Sequence, residues 1–309
     1  MKKELIKWIC ILASALIPLN AVAQLPSAEP SVPNQPRTVY LPFLVTDSHG
    51  APVEGITAED LSIFDNKQPP QSIISVGSGR QLPLRIGMLI DASRSQQRAA
   101  LYRPTAQAAL DFLKQAMTGP DDKAFIARFS TVTEATTWMT RDQMLQWRVN
   151  LNPDGGTALY DSIMFACRQR MQADSTLPAR RVLIIVSDGD DNQSRVTRAE
   201  AIAAAQASGT MLFTITTNEA PEDRGDATLK RFASETGGLA YLEGRHDVAK
   251  VFSSLLAQIE NMYYAGYVPA SSGGAGKFHS VALKPKSGVK WKVHAPAAYA
   301  LFTPTPSQP

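Results

Sequence analysis

The chain has 309 residues, 44% hydrophobic and 19% charged, with a formal net charge of +3 and two cysteines. That length and apolar content suit a proper hydrophobic core and exclude a disordered or disulfide-built chain. The small positive charge is concentrated at the N-terminus and gives no case for nucleic-acid binding.

The first residues, Met1-Lys2-Lys3-Glu4-Leu5-Ile6-Lys7, form a basic start. An apolar run from Trp8 to Leu19 and a small-x-small end at Ala21-Val22-Ala23 follow. This pattern predicts a secretory signal peptide, residues 1–23, cut after Ala23, and so a secreted or periplasmic mature chain. An uncleaved anchor is the alternative, but the run is short for a bilayer span. Cys10 lies inside the apolar run and not at the cut, which argues against lipid modification. Cleavage removes Lys2, Lys3, Lys7 and Glu4 and leaves a nearly neutral protein with one cysteine, Cys167. Cys167 falls in an amphipathic helical pattern and is expected to be buried and inert.

Gln24 to Arg37 is rich in proline, serine and alanine and reads as a linker, as does the Thr303 to Pro309 tail. Residues 38–81 have β character. Strands are expected at Val39–Val45, Leu61–Asp65 and Ser72–Val76, with a turn at Asp47-Ser48-His49-Gly50 and a capped helical turn at Thr57-Ala58-Glu59-Asp60.

Residues 82–262 alternate strands with helices. Strands are expected at Leu84–Ile90, Lys123–Phe129, Glu134–Met139, Arg181–Val186, Leu212–Thr216 and Leu239–Leu242. Helices are expected at Gln97–Met117, Arg141–Val149, Thr157–Met171, Thr197–Ser208, Asp226–Thr236 and Asp247–Met262, the first with an irregularity at Pro104. Such alternation predicts an α/β fold, a mostly parallel sheet with helices on both faces. Glu134–Met139 follows its neighbour after a turn only, and is expected as an antiparallel edge strand.

Residues 263–302 return to β character, with strands at Tyr263–Val268, Phe278–Lys284 and Val289–His294. They either pair with residues 38–81 in one small β-sandwich or form a separate appendage.

Three short stretches carry chemistry. Asp91-Ala92-Ser93-Arg94-Ser95 leaves the Leu84–Ile90 strand with one carboxylate and two hydroxyls. Gly155-Gly156-Thr157-Ala158-Leu159-Tyr160-Asp161 offers another hydroxyl in a flexible loop. Ser187-Asp188-Gly189 ends the apolar Val182–Val186 run with a second carboxylate. Singly, each has an ordinary structural reading: Ser93 and Ser95 as helix caps, Thr157 as an N-cap, Asp188-Gly189 as a turn. Asp91 and Asp188 lie at the ends of strands, where α/β sheets gather ligands. Oxygen-only donors suit a hard divalent cation.

In these residues the sequence resembles a von Willebrand factor A (vWA) domain with a metal-ion-dependent adhesion site (MIDAS). The resemblance implies a Rossmann-like sheet with a cation at its top. It implies that Asp91, Ser93, Ser95, Thr157 and Asp188 hold Mg2+, with Mn2+ or Ca2+ as alternatives. It also implies that a Glu or Asp of a protein partner completes the coordination. The flanks, including Val45-Thr46-Asp47, Leu61–Gln68 and Tyr264-Ala265-Gly266-Tyr267-Val268-Pro269, resemble the VWFA-related family common in Acidobacteria. Two positions depart from the family pattern: Arg94, where a small residue is usual, and Gln96, where an apolar one is usual.

The chain is therefore expected to be a non-enzymatic adhesion module without a membrane span in its mature form. A metal-dependent hydrolase, or a scaffold binding through its β segments, is the alternative. His49, His246, His279 and His294 all lie outside the motif, and there is no G-x-S-x-G or P-loop. Asp190 and Asp191 do not fit an EF-hand spacing and are expected on a solvated loop.

Overall fold

The protein is described by a computed structural model covering residues 38–97, 100, 102–146, 152–172, 179–219, 224–242, 247–271, 277–286, 288 and 290–301. The expected signal peptide, linker and tail lie outside these residues, as does His246. Among the described residues, no helix is long and apolar enough to cross a membrane.

Chain order begins with β1 (Val39–Thr46), β2 (Leu61–Asp65) and β3 (Ser72–Ser78). Asp47 builds the turn after β1, its Oδ1 accepting from the backbone N–H of His49 and Ala51. Those bonds hold the Asp47 carboxyl below its ordinary range. Thr57 and Asp60 form a reciprocal capping box on the short helical turn Ala58–Asp60.

The α/β layer contains β4 (Leu84–Asp91), α1 (Tyr102–Ala116), β5 (Lys123–Phe129), β6 (Thr133–Ala135), α2 (Arg141–Gln146) and α3 (Leu159–Phe165). A π-helical turn, Ala166–Met171, extends α3. Then come β7 (Arg180–Ser187), α4 (Arg198–Ala207), β8 (Met211–Thr216), α5 (Arg224–Glu235), β9 (Ala240–Tyr241) and α6 (Val248–Glu260). The sheet order is β6-β5-β4-β7-β8-β9. All neighbours are parallel except β6 against β5. The fold class is thus α/β, as expected, with the antiparallel strand at the edge.

Central strands here are apolar throughout because both faces are covered. In β4, Leu84, Ile86, Met88 and Ile90 face the core under α1 and α6, whereas Leu89 faces the core under α3, α4 and α5. Burying each such side chain contributes about 1.5–3 kcal/mol. At Gly87, a Cβ would stand 2.4 Å from the Phe125 ring and 2.6 Å from Leu183. The missing side chain lets those neighbours close over the sheet.

Several expected boundaries differ. The chain forms a 3-10 turn at Arg94–Gln97, and α1 starts only at Tyr102, leaving Pro104 in its first turn, where proline is tolerated. β6 is cut short because Thr136 turns its hydroxyl onto the Ile126 N–H, and only Met139 rejoins the sheet, bridging to Ala124.

After α6 come β10 (Tyr263–Val268), β11 (Phe278–Pro285), β12 (Lys292–His294) and β13 (Ala298–Ala300). β13 is absent from the sequence expectation. These strands pair with the N-terminal ones in two antiparallel sheets, β12-β1-β10-β3 and β13-β11-β2. The sheets enclose their own core, with Phe43, Leu41, Val45, Ile63, Tyr267 and Leu283 among its members. The two β segments therefore form one sandwich rather than separate appendages. Tyr264 Oη donates to the Ala179 carbonyl, next to the first residue of β7. The sandwich thus meets the α/β layer at the start of its strands.

Candidate metal centre

Asp91 is the last residue of β4, and Asp188 directly follows β7, its parallel neighbour. The helices that follow these strands pack on opposite faces: α1 contributes to one core and α4 to the other. The two chains therefore part where they leave the sheet, and a crevice opens between them. This is the switch-point geometry at which α/β sheets bind ligands.

Asp91 lies on the floor of this crevice, fully buried. Its Oδ1 accepts from Ser93 N at 2.9 Å and its Oδ2 from Ser187 Oγ at 2.6 Å. Burial, then repulsion from Asp188, pushes its pKa up to about 7, against the opposing pull of these hydrogen bonds. Ser93 is buried and Ser95 exposed, their hydroxyls 3.0 Å apart. Ser95 Oγ donates to Asp188 Oδ2 at 2.6 Å. The four residues Asp91, Ser93, Ser95 and Asp188, from two loops, thus form one continuous web.

Thr157 is also buried, and backbone bonds set it between the two loops. Asp154 N donates to Ala92 O, and Arg94 N to Gly155 O, tying its loop to the one after β4. Thr157 N donates to Asn192 Oδ1 at 3.0 Å, and Thr157 O accepts from Asn192 N and Gln193 N, tying it to the loop after β7. Both glycines are needed here. Gly155 has φ +73°, and a Cβ on Gly156 would meet Gln193 at 2.6 Å.

Thr157 is not the expected helix cap. α3 begins at Leu159, and its N–H groups are taken by the loop after β7. Asp191 Oδ2 accepts from Tyr160 N and Ser194 Oγ from Asp161 N, while Asp161 accepts in return from Arg195 N and Val196 N. Asp191 is therefore a structural cap and not a solvated loop residue. Thr157 is released from capping duty.

Four contributors escaped sequence reasoning. Ser187 and Gln96 bond directly to the carboxylates, and Asn218 Nδ2 donates to the Asp188 carbonyl. Gly225, at the start of α5, lies so near that a Cβ would stand 1.8 Å from that carbonyl. Gln96 follows the Asp-x-Ser-x-Ser run directly, and its polarity at a position expected to be apolar was the available signal. Arg94, the other departure, is exposed at the rim, its guanidinium 3.9 Å from Asp154.

Among the described residues, no group of three or more His, Cys, Asp or Glu side chains could hold a metal. Two carboxylates with three hydroxyls form a different donor set. It is all oxygen, it includes two carboxylates, and it suits a hard cation. A cavity of about 460 Å³ lies elsewhere, lined by Cys167, Ala204, Ser208 and Phe278 among others, and by none of the five candidate residues. Cys167 is fully buried and its thiol is pushed up to about 12, as expected of an inert core cysteine.

No protein-family model and no curated protein matches the chain. Among solved structures it is similar to a von Willebrand factor type A protein from Catenulispora acidiphila, at 13% identity, with a TM-score of 0.47 over 86% of this chain and 74% of that one. It is similar to the protein BatB from Bacteroides thetaiotaomicron, at 16% identity, with a TM-score of 0.41 over 56% of this chain and 97% of that one. It is similar to proximal thread matrix protein 1 from the mussel byssus, at 13% identity, with a TM-score of 0.46 over 58% of this chain. The match spans about half of the byssus protein's length, 48%.

Proposed function

We propose that this chain is a secreted or periplasmic, non-enzymatic binding module of the vWA type. In this reading Asp91, Ser93, Ser95, Thr157 and Asp188 hold a divalent cation, Mg2+ by donor chemistry, with Mn2+ or Ca2+ as alternatives. The observation that carries the reading is the pair of carboxylates on adjacent strand ends, joined by the Ser93 and Ser95 hydroxyls. A bound cation supplies an electrophilic position to which a Glu or Asp of a protein partner can attach.

The residues divide the work by burial. Asp91 and Ser93 form the floor, where burial and Asp188 disfavour the Asp91 charge and a bound cation would favour it. Ser95 and Asp188 stand nearer solvent, where a partner carboxylate must approach. Two carboxylates balance a divalent charge, while hydroxyl donors leave the cation able to accept another anionic ligand.

A hydrolase reading finds less support. Among the described histidines, His49 lies in the turn after β1, His279 is buried on β11, and His294 bonds Thr46 across the sandwich. None of these elements borders the crevice.

The test is thermal unfolding and titration calorimetry with MgCl2 against EDTA. At 100 times the dissociation constant, a cation bound only by the folded state adds about 2.7 kcal/mol. In a domain of this size that is a rise of roughly 5–10 °C in Tm. Asp91→Ala should abolish the rise. A wild-type protein indifferent to Mg2+, Mn2+ and Ca2+ alike would sink the reading.

A further inference from the structure

Gln96 lies in the 3-10 turn Arg94–Gln97, directly after Ser95. Its side chain is almost wholly enclosed, with the residue 2% exposed. The amide Nε2 donates to Asp188 Oδ2 at 2.9 Å and stands 3.5 Å from Ser95 Oγ. The other end of the amide, Oε1, is buried with no hydrogen-bond partner. Leaving a buried carbonyl unsatisfied is destabilising. An apolar side chain of similar length would fill the space without that cost. The Gln96 amide is thus satisfied at one end, and among the described residues its hydrogen bonds run to two members of the candidate site.

Asp188 is the less secure carboxylate. It sits on a loop, half exposed, and its charge repels that of Asp91. Its Oδ2 receives two hydrogen bonds, from Ser95 Oγ and Gln96 Nε2, and its Oδ1 receives one from Asp190 N. The two Oδ2 donors differ in what they can offer a cation. A serine hydroxyl has two lone pairs and one proton, so Ser95 can offer a lone pair to a metal and still donate to Asp188, serving as ligand and donor at once. An amide N–H is a pure donor with no lone pair to offer. Its bond to Asp188 does not compete with ligation.

We propose that Gln96 is a positioning residue that keeps the Asp188 carboxylate turned into the crevice and so sets the affinity of the site for its divalent cation. Gln96 touches no cation in this assignment. It acts through Asp188, as hydrogen-bond partners of metal ligands do elsewhere. The inference rests on the cation reading given under Proposed function.

The test compares the full-length wild type with Gln96→Leu and Gln96→Met, two substitutions of similar volume that remove the N–H donor and the orphaned carbonyl together. Each is measured twice: by Tm in EDTA, and by Mg2+ affinity in calorimetry. Tm in EDTA should be unchanged or higher, because a buried unsatisfied group is gone. Mg2+ affinity should fall about tenfold or more in both variants. A merely structural glutamine would give the opposite split, with Tm lowered in EDTA and Mg2+ affinity kept. That result, or an affinity in either variant within about twofold of wild type, overturns the assignment and leaves the cation reading standing. If wild type itself does not bind Mg2+, the cation reading fails and this inference falls with it.

Discussion

Asp91 shows how a residue legible in sequence acquires its chemistry only by burial. Its type and place after an apolar strand mark it as a candidate ligand. Its raised pKa comes from enclosure and from Asp188, which lies 97 positions further along the chain. His294 is a comparable case in the sandwich. It bonds Thr46 Oγ1 at 2.9 Å, and burial, then Lys292, lowers its pKa from 6.5. A histidine with a depressed folded pKa takes its proton first in the unfolded chain. Its contribution to stability is full above pH 6.5 and is lost as pH falls below that value. Tm should accordingly fall with acidification from pH 7 to about 5 less steeply in His294→Gln than in wild type. Equal slopes would show that His294 is not a source of the acid sensitivity. At this scale the five candidate ligands could be named from sequence because Asp91 and Asp188 end apolar strands and the three oxygen-bearing stretches together resemble the vWA motif. Ser187, Gln96 and Asn218 could not be assigned a role, because theirs consists of hydrogen bonds to residues far away in the chain.

Among the elements, helix ends with local caps were readable and those with distant caps were not. Thr57 with Asp60, and Thr197 with Glu200, are capping boxes written within four residues. α3 is capped instead by Asp191 and Ser194, from the loop after β7. The two arrangements predict different phenotypes. Thr197→Ala should cost about 1 kcal/mol of stability and leave Mg2+ affinity unchanged. Asp191→Ala should cost at least as much, about 1–2 kcal/mol, and should also weaken Mg2+ binding, because the same loop holds Thr157 through Asn192. Paired Tm and calorimetry measurements on the two variants check this, and matched effects on Mg2+ would contradict it. The short strands follow the same logic. β13 has three residues and exists because β11 offers it an edge, a fact no local pattern of three residues can announce.

For the whole molecule, the decisive feature is the closure of the two β segments into one sandwich across the α/β layer. β1 pairs with β10 from Val39↔Tyr267 to Phe43↔Tyr263. A buried polar hub locks the far side. Asp65 accepts from Tyr267 Oη at 3.1 Å and from Tyr299 Oη, and its Oδ1 lies 2.7 Å from His279 Nδ1. β2, β10, β11 and β13 meet at this one carboxylate. Asp65→Ala removes the carboxylate shared by three buried polar side chains and should cost about 3–5 kcal/mol. Because the sandwich meets the other end of the sheet, the remaining folded protein should keep the wild-type Mg2+ affinity. Denaturant unfolding with and without Mg2+ measures both, and a lost Mg2+ response in folded Asp65→Ala would tie the sandwich to the site.

The sequence by itself determined the α/β alternation, the apolar centre of the sheet and the chemical identity of the five oxygen-bearing candidates. These follow from period, residue type and short-range spacing, which act over a few residues. Only the tertiary structure decided that residues 38–81 and 263–301 share one sandwich, that Asp191 and not Thr157 caps α3, and that Gln96 grips Asp188. Each of those depends on which distant groups folding brings within hydrogen-bond reach, and a one-dimensional pattern does not contain that distance.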